Sequence, residues 1–175
     1  MMRRRRTPCR PGWSRADLHV HTTFSDGTAN PEDVLNWYAL HSDVRILAVT
    51  DHDTLDGALH ARRYANTHPD LFGNIQVIVG EEISSREGHI LGLFLEEWIP
   101  PGLDAENTIA AIHAQGGIAV AAHPYTRFME WNGLVGVGDL IRTLPFDAVE
   151  TRNSNFTEVL ANRKASRVAC ALGAA

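Results

Sequence analysis

The sequence predicts an α/β fold built on a parallel sheet or barrel, and three observations predict it. Short apolar runs alternate with helical stretches along most of the 175 residues. The runs are hydrophobic almost throughout, as strands buried on both faces are. Histidines and carboxylates gather where the runs end, which is where sites form in parallel α/β folds.

Each element has its own signal. Ala16 to His21 is a short apolar strand that ends in polar residues. Asn30 then serves as a helix N-cap, with Pro31 at the first helical position and Glu32 and Asp33 in the first turn. Arg45 to Thr50 is the next strand and Leu55 to about Asn66 the next helix. Ile75 to Val79 and His89 to Leu95 are strands joined through Ser84-Ser85-Arg86-Glu87-Gly88, which reads as a hairpin turn. Asp104 caps a helix whose Ile109 and Ile112 share one face and whose end is marked by Gly116-Gly117. Ile118 to Ala122 and Asp147 to Thr151 are further strands, and Val159 to Leu172 is the last helix.

Composition narrows the class of protein. At 44% hydrophobic the chain can bury one core, and its net charge of −5 gives no general attraction to nucleic acid. The exception is local: Arg3 to Arg6, with Arg10 and Arg15, make residues 1–15 a basic arm, and an isolated charge block of this kind is ordinarily a solvated extension. No apolar run follows those arginines, so they do not begin a signal peptide, and no stretch is long enough to cross a membrane. Cys9 and Cys170 lack any CxxC spacing, which argues against a disulfide framework and a thiolate metal site. A cytoplasmic location is the default expectation.

Chemistry is concentrated in a few segments. Asp17-Leu18-His19-Val20-His21 is followed by Ser25-Asp26-Gly27, then by Thr50-Asp51-His52-Asp53, Gly80-Glu81-Glu82, His89 and Ala122-His123-Pro124. Imidazoles and carboxylates together suit zinc, iron or manganese, and this set exceeds what one tetrahedral ion needs, so two or more ions are expected. Residues two apart on a strand share a face, so His19 and His21 can reach the same ion. Glu81 and Glu82 compete, because strand neighbours point to opposite faces. His41, His60, His68 and His113 lie in or near helical stretches without carboxylate neighbours in sequence and read as surface or packing residues. The four tryptophans show no stacking spacing.

These segments, in this order, resemble the motifs of the polymerase and histidinol phosphatase (PHP) domain family, over residues 16–175. The resemblance implies a distorted seven-stranded β/α barrel with two to three divalent ions (Zn, Mn, Fe or Mg) that hydrolyse phosphoesters. It implies metal contacts from His19 and His21, from Asp26 and His52 on a third ion, from Glu82 as a bridging carboxylate, and from His89 and His123 on a second ion. The family's GxE pattern selects Glu82 over Glu81. Arg127, four residues after His123, matches an arginine turned toward substrate phosphate. Asp53 is a candidate general acid by position, or else a residue that holds His52, and Tyr125 is placed to line the pocket. The run Ile112-His-Ala-Gln-Gly-Gly and the Pro100-Pro101-Gly segment look like the compact branch related to carbaryl hydrolase, and only 33 residues separate His89 from His123, too few for the helical insertion of the nucleotidase and exoribonuclease branch.

The chain departs from that pattern at its end, where the family's Asp-x-His strand is expected and Gly173-Ala174-Ala175 stands instead. The expectation is therefore an incomplete barrel of about five strands, a fragment of a longer reading frame, with one ion lacking its Asp and another a His. Three functions fit. The leading one is a metal-dependent phosphoesterase that uses activated water on a small phosphorylated metabolite, nucleotide or oligonucleotide end. The others are a carbamate or ester hydrolase, against which a cationic Arg127 argues, and an inactive metal-binding module.

Overall fold

The computed structural model describes residues 12–126, 135–154 and 158–173. Six strands form one sheet in sequence order: β1 (Arg15–Val20), β2 (Val44–Val49), β3 (Gln76–Ser84), β4 (His89–Leu93), β5 (Ile118–Ala121) and β6 (Ala148–Val149). Each of the six strands read from the sequence is present, against a barrel count of about five, and the two-residue β6 pairs with β5 through Val120 and Ala121. The first three strands run parallel, β4 is antiparallel to both its neighbours, and β5 and β6 are parallel. A parallel return to β4 would need a crossover of a dozen residues, and only Ser85 to Gly88 separate the two strands, so a hairpin is the one available geometry.

Among the described residues five α-helices connect or flank the strands, α1 (Pro31–His41), α2 (Asp56–Thr67), the one-turn α3 (Pro69–Phe72), α4 (Ala105–Ala114) and α5 (Val159–Leu172), with a 3-10 helix at Gly138–Arg142. The capping signals act as read. Asn30 accepts a hydrogen bond from the Asp33 backbone N–H at 2.8 Å, and Asp104 accepts one from that of Asn107 at 2.8 Å. The single turn α3 carries no periodic signal of its own; Pro69 restarts a turn after His68 leaves helical geometry. Two strands differ from expectation, β1 by a shift of one residue and β3 by its length. β1 begins at Arg15, which pairs with Asp43 at 2.7 Å and so belongs to the sheet, not to a basic arm. β3 continues from the apolar run through Gly80-Glu81-Glu82 to Ser84.

Alternation along β3 divides its side chains between two cores. Val77, Val79 and Ile83 pack with the main cluster, where the sheet meets Leu35, Ala58, Ala61, Ile109, Ile112 and Val168 of the helices. Ile78 packs with Ala48, Leu91, Leu93, Val120 and Ala122 in a smaller cluster on the other face. Alanines at 58, 61 and 65 bring α2 close to the sheet, and each fully buried Leu or Ile contributes roughly 1.5–3 kcal/mol. Among the described residues no helix is long and apolar enough to cross a membrane.

Candidate metal centre

All the site segments reach one edge of the sheet. His21 follows β1, His52 follows β2, His123 follows β5 and Glu150 follows β6, and Glu82 lies near the carboxyl end of β3. His89 opens β4, and because β4 runs antiparallel its first residue lies opposite Ser84 at the same edge. Glu82 shares the face of Ile78, with the smaller core cluster beneath it. Glu81 turns the other way into the main core, where Oε2 accepts a hydrogen bond from the Ile99 N–H at 3.2 Å and Oε1 has no partner.

Five imidazoles converge on the buried Glu82 carboxylate. Its Oε2 lies 2.9 Å from Nε2 of both His19 and His21 and 3.5 Å from Nε2 of His52. Its Oε1 lies 3.0 Å from His89 Nδ1 and 2.8 Å from His123 Nε2. His19 and His21 bring their Nε2 atoms within 3.0 Å of each other, so the alternate spacing does put both rings on one target. Asp26 completes the outer side, 2.6 Å from His21 Nδ1 and 3.9 Å from His52 Nε2.

Local sequence fixes the loop that carries Asp26. The buried Asp51 accepts hydrogen bonds from the Thr22 N–H at 2.7 Å, the Thr22 hydroxyl at 2.7 Å and the Ser25 hydroxyl at 2.6 Å. Two glycines make room for this arrangement. A Cβ at Gly57 would meet Asp51 Oδ2 at 2.0 Å, and one at Gly27 would meet the His21 carbonyl oxygen at 2.5 Å.

Two residues named from sequence take other positions. The Asp53 carboxylate faces neither the cavity nor His52; it accepts the Ser84 N–H at 2.7 Å and the Ser84 hydroxyl at 2.8 Å, which locks the turn after β2, with its positive φ of 53°, onto the end of β3. The Tyr125 hydroxyl donates to Asp139 at 2.7 Å and its ring lies under Lys164, away from the cavity. Arg127, Trp131, Cys9 and the basic run Arg3 to Arg6 with Arg10 lie outside the described residues. His41, His60, His68 and His113 line no part of the cavity, although the fold does give two of them a carboxylate, Glu32 for His60 and Asp147 for His113.

Glu150 was not singled out in the sequence. It stands 3.3 Å from His19 Nδ1 and accepts the His123 backbone N–H at 2.7 Å. A carboxylate at the end of the Asp147 to Thr151 strand was the available signal, the same one that marked His52. Through Glu150 the two edge strands β1 and β6, which do not pair through backbone, meet at the mouth.

The charges follow from these contacts. Burial works against ionised Glu82, but hydrogen bonds from His123, His19, His21 and His89 outweigh it and hold the carboxyl well below its usual range. Burial likewise opposes protonation of His19, and hydrogen bonds to Glu150 and Glu82 overcome it, raising the ring to about 10. Glu150 is lowered against its burial by His19, and Asp26 against its own by His21, whereas burial lowers His52.

The donor set fits divalent ions. Three groups, His19–Glu82–His123, His21–Asp26–His52 and His52–Glu82–His89, each keep one ligand atom per residue within 4.8 Å of the others, with Glu82 and His52 each shared between two groups. Two imidazole nitrogens 3.0 Å apart beside one carboxylate oxygen are a crowd of donor atoms that a cation would satisfy. The cluster opens into a cavity of about 270 Å³ whose lining also includes Arg152, Asn153 and Ser154.

A curled α/β sheet with a histidine–carboxylate cluster at the carboxyl ends of its strands defines the class of metal-centre proteins on barrel-like folds. Within that class the chain belongs to the PHP domain family, which it matches over residues 17–164. It is 35% identical over 159 residues to an uncharacterized protein of Methanocaldococcus jannaschii, with 85% of this chain and 86% of that protein covered. It is 41% identical over 90 residues to the phosphoribosyl 1,2-cyclic phosphate 1,2-diphosphodiesterase of Eggerthella lenta, where it covers 48% of itself but only 32% of the relative. In fold it is similar to a two-domain protein of Bacteroides vulgatus containing a predicted PHP-like metal-dependent phosphoesterase, with a TM-score of 0.67, 18% identity, and 91% of this chain and 49% of that one covered.

Proposed function

We propose that the chain is a metal-dependent phosphoesterase, with His19, His21, Asp26, His52, Glu82, His89 and His123 as ligands to two or three divalent ions. One observation carries the reading: imidazoles from four strand ends converge on the single buried Glu82 carboxylate, His19, His21 and His52 at Oε2 and His89 and His123 at Oε1, a donor set that would hold divalent ions. The family and the diphosphodiesterase relative support a phosphorylated substrate, such as a small metabolite, a nucleotide or an oligonucleotide end. Divalent ions supply two things when bound: acidity enough to make water nucleophilic near neutral pH, and positive charge against the negative charge that builds on the phosphoryl oxygens.

The protein's part is orientation. Glu150 takes up His19 Nδ1, which leaves Nε2 facing the cluster, and its bond to the His123 N–H fixes the turn on which His123 sits with φ of 26°. Asp51 keeps the Asp26 loop folded over the outer group. The rest of the cavity lining is polar and includes one guanidinium, Arg152, suited to an anionic substrate.

The test pairs bound metal per chain, by inductively coupled plasma mass spectrometry on protein purified without chelator, with hydrolysis of an aryl phosphate with and without manganese. Two or more ions with turnover is the expected result. Metal without turnover would leave a binding module, and no metal would sink the reading.

A further inference from the structure

Two of the five imidazoles on Glu82 hang from one short stretch of backbone. His89 and His123 are the pair that reaches Oε1, and they stand on different segments, at the start of β4 and just after β5. Residues 135–138 touch both. On one side the His89 N–H donates to the Val135 carbonyl at 2.9 Å. On the other, the Gly136 N–H donates to the Thr126 carbonyl at 3.1 Å and the Gly138 N–H to the Pro124 carbonyl at 2.7 Å, while the Thr126 N–H donates to the His123 carbonyl at 2.9 Å. Val137, between those two glycines, is buried in the main cluster and anchors the run.

Glycines at 88 and 136 let the three backbones meet. A Cβ at Gly88, the residue before His89, would lie 2.7 Å from both the Gly136 carbonyl carbon and the Val137 nitrogen. One at Gly136 would overlap the carbonyl oxygens of His123 and Pro124, closer than any real Cβ contact. Backbone packed this tightly has no flexible side chain to yield, so a displacement of one segment passes to the other two. The imidazoles on Oε2 have different supports: His19 and His21 belong to β1 and its end, His52 follows β2, those strands pair with each other, and Asp51 ties the intervening loop.

We propose, resting on the reading of the cluster as a phosphoesterase metal centre, that residues 135–138 are a brace that positions His89 and His123 together for the ion on the Oε1 side of Glu82. Val135, Gly136 and Val137 are then positioning residues, although none of them lines the cavity. The brace acts on one ion and not on the group formed by His21, Asp26 and His52.

The test uses the full chain and two readouts. V137A truncates the anchor of the brace, and V168A makes the same truncation on α5 in the same buried cluster, as the control for lost packing. In titrations with cobalt(II), followed by its d–d absorption, V137A should weaken one binding step by about 10–100-fold and leave the others in place, whereas V168A should leave every step within about twofold of wild type. G136A should remove that step altogether, and V137A decides the matter if G136A does not fold. In metal-free protein, amide exchange at His89, read by NMR, should be about tenfold faster in V137A and unchanged in V168A, because the acceptor of that N–H is Val135. Losses spread evenly over all steps in V137A, or shared by V168A, would make the run ordinary core and overturn the proposal. Faster His89 exchange with cobalt binding unchanged would overturn it too. A wild type that takes up no cobalt would instead defeat the metal-centre reading itself, a result separable from failure of the brace alone, in which the wild type binds and V137A binds equally well.

Discussion

Gly57→Ala sets two known effects against each other. Gly57 is the second residue of α2, where alanine is the better helix former by up to about 1 kcal/mol. An added Cβ would lie 2.0 Å from Asp51 Oδ2, 2.8 Å from Thr22 Oγ1 and 3.1 Å from Asp51 Cγ, so the carboxylate must leave its place. Asp51 is fully buried and holds Thr22 through two bonds and Ser25 through a third. Hydrogen bonds to a charged group contribute roughly 1.5–3 kcal/mol each, and partial loss of this set outweighs the helix gain. The net expectation is destabilisation by about 2–4 kcal/mol, or about 2–4 °C in Tm for each kcal/mol. Urea and thermal unfolding of G57A, D51A and the double variant measure it. G57A should cost far less in the D51A background, because its main obstruction is gone. A G57A protein as stable as wild type, or a double variant with additive losses, would refute the argument.

Other substitutions separate the roles of nearby carboxylates. Burial pushes Glu81 up to about 7 from an ordinary 4.5, so the folded state binds its proton more tightly than the unfolded one. The Glu81 contribution to stability should then be fullest below pH 4.5 and be lost between 4.5 and 7, so E81Q should be the more stable protein above pH 7, by at most about 3 kcal/mol, and equal to wild type near pH 4; the difference between the two urea curves across pH reads this, and a constant difference would contradict it. E150A removes the orienting partner of His19 and the acceptor for the His123 N–H, and should weaken metal affinity by about 10–100-fold in calorimetric titration; unchanged affinity would rule out that role. D53A should lower stability by about 1–3 kcal/mol through loss of both Ser84 contacts and leave bound metal per chain as it was. Lost metal in D53A would return Asp53 to the vicinity of His52.

The parts of the fold that sequence revealed are those fixed by local chemistry. Asn30-Pro31 and Asp104 announce helix starts because the caps act within a single turn. The four residues between Ser84 and His89 admit only a hairpin. What stayed hidden depends on distant partners. α3 is a single turn, packed through Phe72, with no period of its own. Asp53 looked catalytic because it follows His52, but its positive φ turns the carboxylate to Ser84, 31 residues away. Tyr125 follows His123 closely in sequence yet is drawn off by Asp139 and Lys164.

The candidate centre divides along the same line. The seven ligand candidates stood out because each lies in a motif segment; β-alternation left room for only one of Glu81 and Glu82, and the resemblance's GxE pattern chose Glu82. Glu150 has no histidine beside it, and its importance comes from the curl of the sheet. β1 and β6 occupy opposite ends of the strand order, yet His19 and Glu150 touch. Only a sheet that bends back on itself can bring its first and last strands to one point. The same contact therefore does two jobs: it sets the tautomer of a candidate ligand, and it joins at the mouth two edges that share no backbone ladder. Assembly of the ligand cluster and closure of the sheet are then one event, and ions that draw His19, Glu82 and His123 together would also hold the edges in place.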